Sequence, residues 1–154
     1  MLQLHSKIYT SPKTLLYGLL YLFSLWGTRI RDYDAGSIKF QYLHYSFQDI
    51  NLFEKHNVNE ILVINMICVA PIASGRNLAL KMIQWTENLS KNQNIPLLTA
   101  ETTGIASAKT FEKCGFSNIK ELEYNNYVTS NGERPLANLE PNISCIIWEK
   151  INII

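Results

Sequence analysis

The residues best suited to chemistry in this chain are Ser74, Gly75, Arg76 and Asn77, which follow an apolar run, Ile61 to Val69, and a proline at position 71. They lead into a segment with helical apolar spacing. A strand that passes to a helix through such a turn aims several backbone N–H groups and the positive end of the helix dipole at one point. A phosphate or pyrophosphate fits there, and Arg76 can add a charge-assisted contact. Taken alone, the stretch could equally be no more than a tight strand-to-helix turn.

Other chemistries find less support. His5, His44 and His56 are scattered without ligand spacing, so no metal site is expected. The cysteines, Cys68, Cys114 and Cys145, are odd in number and lie in apolar surroundings with no Cys-x-x-Cys pair. They read as reduced core thiols, which points to the cytoplasm. A net charge of +1 and an apolar share of 47% are ordinary for a globular protein and give no reason to propose nucleic acid as a partner.

These residues need elements to hold them. At 154 residues the chain is long enough for a self-sufficient core. Residues 29–45 read as a strand or hairpin, and Phe47 to Asn57 as a helix ending at the polar turn Asn57-Val58-Asn59. The run from Ile61 to Val69 fits a strand covered on both faces. After Gly75, the residues Leu78, Met82, Trp85 and Leu89 fall on one helical stripe, expected to be buried. Pro96 to Thr102 makes a second strand. A short helix follows Thr103 and Gly104, with Ala108, Phe111 and Cys114 on one face, and stops at Gly115. Asn118 to Tyr124 and Ile143 to Ile151 are further strands, with a turn at Asn131-Gly132-Glu133. The succession predicts an α/β (α+β) domain with a mixed sheet. The apolar residues 14–27 are few for a spanning helix, which needs roughly 20. They read as a core helix or an ill-fitting leader, with a membrane anchor as the alternative.

Two segments together carry a family resemblance. The pattern V-A-P-x-x-S-G-R-N-L-A, residues 69–79, resembles the acyl-CoA signature of the GCN5-related N-acetyltransferases, Gln/Arg-x-x-Gly-x-Gly/Ala. TAETTGIASAKTFEKCGF, residues 99–116, is similar to the second motif of that family. Tyr124-Asn125-Asn126-Tyr127 and the tail PLANLEPNISCIIWEK resemble its arthropod arylalkylamine branch. The likeness covers residues 50–151, which separates a divergent N-terminal segment, 1–45, from an acetyltransferase domain, 46–154.

The resemblance implies a mixed, mostly antiparallel twisted sheet flanked by helices. It also implies acetyl-CoA as co-substrate, no metal, and a small arylalkyl amine as acceptor. On this reading Ser74, Gly75, Arg76, Asn77, Leu78 and Ala79 hold the pyrophosphate. The strand end Ile67, Cys68 and Val69 leaves backbone groups to the pantetheine arm, and Tyr124 and Tyr127 line the amine pocket. Family members often supply the leaving thiol's proton from a tyrosine, but Phe111 stands in that place. The arylalkylamine branch uses hydroxyls at the start of this helix, here Thr103 and Ser107. Thr103 is alternatively the helix N-cap and Ser107 a first-turn residue bonding the backbone.

Three departures weaken the match. Ser74 replaces Arg or Gln, and Asn77 replaces a glycine whose missing Cβ lets backbone approach a ligand. The branch also takes its general base from a glutamate on an N-terminal helix, whereas no Glu precedes Glu54 here, and Asp32, Asp34 and Asp49 match no motif. Glu101, at the end of the second strand, could reach the cleft but reads rather as a solvated or sheet-edge residue. Loss of a general base costs about 10²–10⁴ in rate. The alternatives are therefore an N-acetyltransferase, a slow one included, and an impaired CoA-binding module or truncated enzyme.

Overall fold

The computed structural model describes residues 2–10, 50–129, 131–134, 136 and 144–152. The apolar run at 14–27, the strand or hairpin expected at 29–45, the start of the helix expected from Phe47, and Asp32, Asp34 and Asp49 lie outside the described residues.

Eight elements suffice to describe the site: β1 (Leu2–Tyr9), α1 (Leu52–His56), β2 (Ile61–Val69), α2 (Leu78–Asn92), β3 (Leu97–Thr102), α3 (Ile105–Lys113), β4 (Ser117–Glu123) and β5 (Ser144–Ile151). The strands form one sheet in the order β1-β2-β3-β5-β4. β2 and β3 run parallel, and the other neighbours are antiparallel. The strands read from sequence after residue 60 are all present, with ends shifted by a residue or so. β1 was not foreseen. It hydrogen-bonds along β2 from Leu2↔Val69 to Tyr9↔Ile61.

Each face of the sheet buries its own set of side chains. Toward α2 and α3, Leu62, Ile64, Leu98, Ala100 and Trp148 pack with Ile83, Phe111 and Phe116. On the opposite face Tyr9, Ile61, Val63, Leu97 and Ile147 pack with Leu52 and Phe53 of α1. β-branched and apolar residues alternate between the two sets, as a strand's period of two requires. Burying one such side chain fully stabilises by about 1.5–3 kcal/mol.

The buried stripe of α2 differs from expectation. Trp85 is 60% exposed, and the buried residues are Ile83, Thr86, Glu87 and Ser90. An apolar count misses this stripe because most of its members are polar. Each has a partner that makes burial tolerable. Thr86 Oγ1 donates to the Met82 carbonyl, and Ser90 Oγ donates to that of Glu87 and accepts from Asn152. Glu87 pairs with Lys150 of β5 at 2.8 Å.

The ends of α3 are set locally. Its C-cap is Cys114, and Gly115 follows at φ +76°, a left-handed angle that costs glycine nothing. The Gly115 N–H reaches the Glu112 carbonyl, and the Phe116 N–H reaches that of Phe111. The Phe111 and Phe116 rings meet edge to face, centroids 5.0 Å apart, supplying the apolar contact that usually completes this C-terminal motif. At the N-terminus the alternative reading of Thr103 as the N-cap does not hold. The N-cap is Gly104, without a side-chain cap, and Thr103 is exposed one residue earlier.

Candidate active site

The site is created by two parallel strands that part. β2 and β3 pair only from Ile61↔Leu97 to Ile64↔Ala100. Beyond that point β2 continues on β1, Met66 to Val69 opposite His5 to Leu2. β3 continues on β5, with Glu101 and Thr102 opposite Ile147 and Ile146. The physical cause lies at Asn65, the extra residue where the β1–β2 register shifts between His5 and Ser6. A bulge bends its strand and raises the local twist, and this one begins immediately past the last parallel pair. Among the described residues, no strand pairs with Met66 to Val69 on the β3 side. Burial records the same break: Ile61 to Ile64 are buried, and no later residue of β2 is. The strand expected to be covered on both faces is so only in its first half. Cys68, read as a core thiol, is exposed, while Cys114 and Cys145 are buried, and none of the three forms a disulfide among the described residues.

β2 hands over to α2 through a short 3-10 turn, Pro71–Ala73. The Ala73 and Ser74 N–H groups close that turn on the carbonyls of Ala70 and Pro71. The chain then bends through two left-handed residues, Gly75 at φ +76° and Asn77 at φ 55°. Asn77 is the N-cap of α2, and its side chain makes no cap hydrogen bond. Asn is the residue after glycine that best tolerates this conformation, so the departure from the expected glycine keeps the backbone path. A Cβ on Gly75 would meet nothing within 4 Å, which marks open space beside the backbone rather than a packed turn. The first-turn N–H groups of an α-helix lack intrahelical partners. No acidic residue of that turn offsets their positive end, and Arg76 is exposed there. Exposed backbone N–H groups and a cation at one helix N-terminus suit an anion.

Around the gap the side chains divide by face. Toward the helices, Thr102 Oγ1 accepts from Trp148 Nε1 at 2.8 Å, fixing the end of β3 to β5. On the opposite face Glu101 Oε1 accepts from Cys145 Sγ at 2.9 Å. On that face too, burial holds the Tyr9 phenol above its usual range, while the nearby Asn65 side chain pulls the other way. Glu101 is half-buried and stands one residue past the last β2–β3 pair. Sequence reasoning passed over Asn65 and Cys145. The one signal available was the single amide inside an otherwise apolar run, INMICV.

The hydroxyls and tyrosines are placed as follows. Ser107 Oγ donates to the Gly104 carbonyl at 2.8 Å, a first-turn contact with the backbone, and Thr103 is exposed beside it. Tyr124 is 1% exposed, and its hydroxyl points to the Thr103 carbonyl at 3.4 Å. It braces the end of β3 from beneath. Tyr127 is half-buried three residues on, its N–H on the Tyr124 carbonyl. A separate cavity of about 420 Å³ between α3 and β4–β5 is lined by Ile105, Ala108, Glu112 and Trp148, and by none of residues 74–79. Among the described residues no three His, Cys, Asp or Glu side chains cluster as metal ligands, and no helix is long and apolar enough to cross a membrane.

One parallel pair in an otherwise antiparallel sheet, opening beside a helix-N-terminal cradle, is the fold of the GCN5-related N-acetyltransferases. Solved structures bear this out. Arylalkylamine N-acetyltransferase 2 from Aedes aegypti superposes with a TM-score of 0.74 at 24% identity, over 95% of this chain and 65% of that one. The polyamine N-acetyltransferase of Drosophila melanogaster, which catalyses formation of N-acetylagmatine, gives 0.75 at 16% identity, over 98% and 69%. A mosquito arylalkylamine N-acetyltransferase-like protein, 5b, gives 0.72 at 17% identity, over 97% and 67%. The chain thus spans about two thirds of the length of these proteins. No protein-family model and no curated protein matches it by sequence.

Proposed function

We propose that this chain is an acetyl-CoA-dependent N-acetyltransferase whose acceptor is a small amine of the arylalkyl class. The observation that carries the reading is the parting of β2 and β3 next to the open, left-handed turn at Gly75–Asn77. Backbone N–H groups of Gly75 to Ala79 would bind the pyrophosphate, with Arg76 as a charged second contact and Ser74 at the entrance. Backbone groups of Ile67, Cys68 and Val69 on the side where β3 no longer pairs would bind the amide-bearing pantetheine arm. When bound, acetyl-CoA supplies an activated acyl group; the chain orients it and moves protons.

Thr103 and Ser107, at the start of α3, would supply the proton to the leaving sulfur. Thr103 suits the task better, because Ser107 spends its proton on the Gly104 carbonyl and must rotate to donate elsewhere. Tyr124 and Tyr127 would bound the acceptor, Tyr124 through its packed ring and Tyr127 through the more accessible one. Support for an amine acceptor comes from neighbours that acetylate arylalkylamines and agmatine. The arylalkyl class rests on the sequence resemblance and on these rings.

A thiol-release assay with acetyl-CoA and dopamine, tyramine, serotonin or agmatine tests the activity. Turnover of any of them supports the proposal, and no turnover by folded protein removes it. One observation favours a second reading, a CoA-binding module without catalysis: Asn77 keeps the turn but places a Cβ and an amide where the family has glycine. That reading expects a thermal shift with acetyl-CoA and no thiol release.

A further inference from the structure

We infer that Glu101 takes the proton from the acceptor amine, with the Cys145 thiol as the positioning residue that holds its carboxylate; this rests on the acetyl-transfer reading above. Four observations converge on it. First, β2 carries no carboxylate and β3 carries only Glu101, so a single acid stands on the two strands that part. Second, it lies one residue past the last parallel pair, Ile64↔Ala100, at the mouth of the gap.

Third, the faces are right. α2 and α3 cover one face, and the cradle at the start of α2 brings the phosphate tail to that side. An acceptor attacking through the gap therefore approaches from the other face, where Glu101 lies with Cys145 and Thr102 does not. Fourth, the carboxylate is held without being sealed. Cys145 is fully buried on β5, diagonal to Glu101 across the antiparallel pair, and its Sγ–H donates at 2.9 Å to one oxygen of a half-buried Glu101. A thiol is a weak donor, and from the wall of β5 it holds one oxygen of the carboxylate in place.

The step balances as follows. The acceptor arrives as an ammonium and gives one proton to the Glu101 carboxylate, directly or through one water, leaving a neutral nitrogen with a lone pair. Nitrogen then bonds to the acyl carbon, and the carbon–sulfur bond breaks. The second proton leaving nitrogen ends on the departing sulfur as a thiol, and Glu101 returns the first to solvent. No oxidant, metal or covalent enzyme intermediate is required.

The test uses the full chain and whichever amine of the panel the wild type acetylates fastest. Glu101→Gln is expected to lower kcat by about 10²–10⁴, with the acetyl-CoA thermal shift and the KM for acetyl-CoA unchanged. Glu101→Asp should recover part of the loss. A structural role would not produce the next result: with β,β-difluorophenethylamine, whose ammonium is far more acidic than that of phenethylamine, the defect of Glu101→Gln should shrink. Cys145→Ser, which keeps a donor, should retain activity that Cys145→Ala loses, through kcat rather than KM. A Glu101→Gln protein with wild-type kcat, or a defect that is the same for both phenethylamines, overturns the inference while the acetyltransferase reading stands. A wild type that shifts with acetyl-CoA but acetylates nothing overturns both.

Discussion

The two ends of the sheet are built on opposite principles. At the closed end Ile61, Leu97 and Ile147 are fully buried, and Leu52 and Phe53 of α1 cover them. His56 and Lys55 of the same helix grip Glu149 at 2.7 Å and 3.0 Å. At the open end the strands separate, the loop carries two left-handed residues, and the polar groups Asn65, Glu101 and Thr102 stand where an apolar core would otherwise close. Local structure therefore leaves room for a ligand at one end because the other supplies the stability. A sheet paired over its whole length would be more stable and would have no gap.

Breaking the closed end should have the largest effect. Leu98 is fully buried between β2 and β5, and Leu98→Ala should cost about 2–5 kcal/mol, read from the urea midpoint at constant m-value. A cost near zero would mean that the core does not carry the open end. Gly75→Ala separates the two ends more sharply. Its Cβ meets no protein atom, so the stability cost should be only the roughly 1–2 kcal/mol of a left-handed alanine. The acetyl-CoA thermal shift should fall disproportionately, and an unchanged shift would show that the open space serves no ligand.

Asn77→Gly works in the reverse direction. Removing the side chain at φ 55° should raise stability by up to about 1 kcal/mol and tighten acetyl-CoA binding, measured by calorimetry. Weaker binding would instead make the Asn77 amide a ligand contact.

The smallest effect is a pH dependence beneath the helices. Burial, reinforced by the charge of Glu87, raises the Cys114 thiol above its usual range, and Lys150 partly opposes this. Above about pH 8.5 the unfolded thiol ionises first, so the unfolded state binds fewer protons than the folded one. Stability from this group is complete below that pH and declines as pH rises through the folded value. Cys114→Ala should flatten that part of the curve in urea melts taken between neutral and alkaline pH.

Much of the closed architecture was legible in the residues. The run ILVINMICV, the Pro96 to Thr102 segment and the Lys-Cys-Gly-Phe stop at residues 113–116 each state a local preference that tertiary packing left in place. The departures share a cause. α2 buries a mainly polar stripe because Lys150 and Asn152, more than 60 residues away in sequence, provide its partners. The N-cap of α3 moved from Thr103 to Gly104, with the Tyr124 hydroxyl directed at the Thr103 carbonyl. β1 carries no signal of its own strong enough to announce a strand, and β2 supplies the opposite edge.

The sequence by itself determined a strand, a turn and a helix from Ile61 to Asn92, because turn chemistry at Gly75 and Asn77 and apolar periodicity are local properties. It also determined the likeness of residues 69–79 and 99–116 to one family. Only the tertiary structure decided that β2 and β3 part after Ile64 and Ala100, since that depends on a bulge whose register is set by β1. Only it, likewise, set Glu101 against Cys145 at that opening, because cross-strand pairing joins residues 44 apart along the chain. Contacts of that range follow from the arrangement of the whole sheet, and no local pattern encodes them.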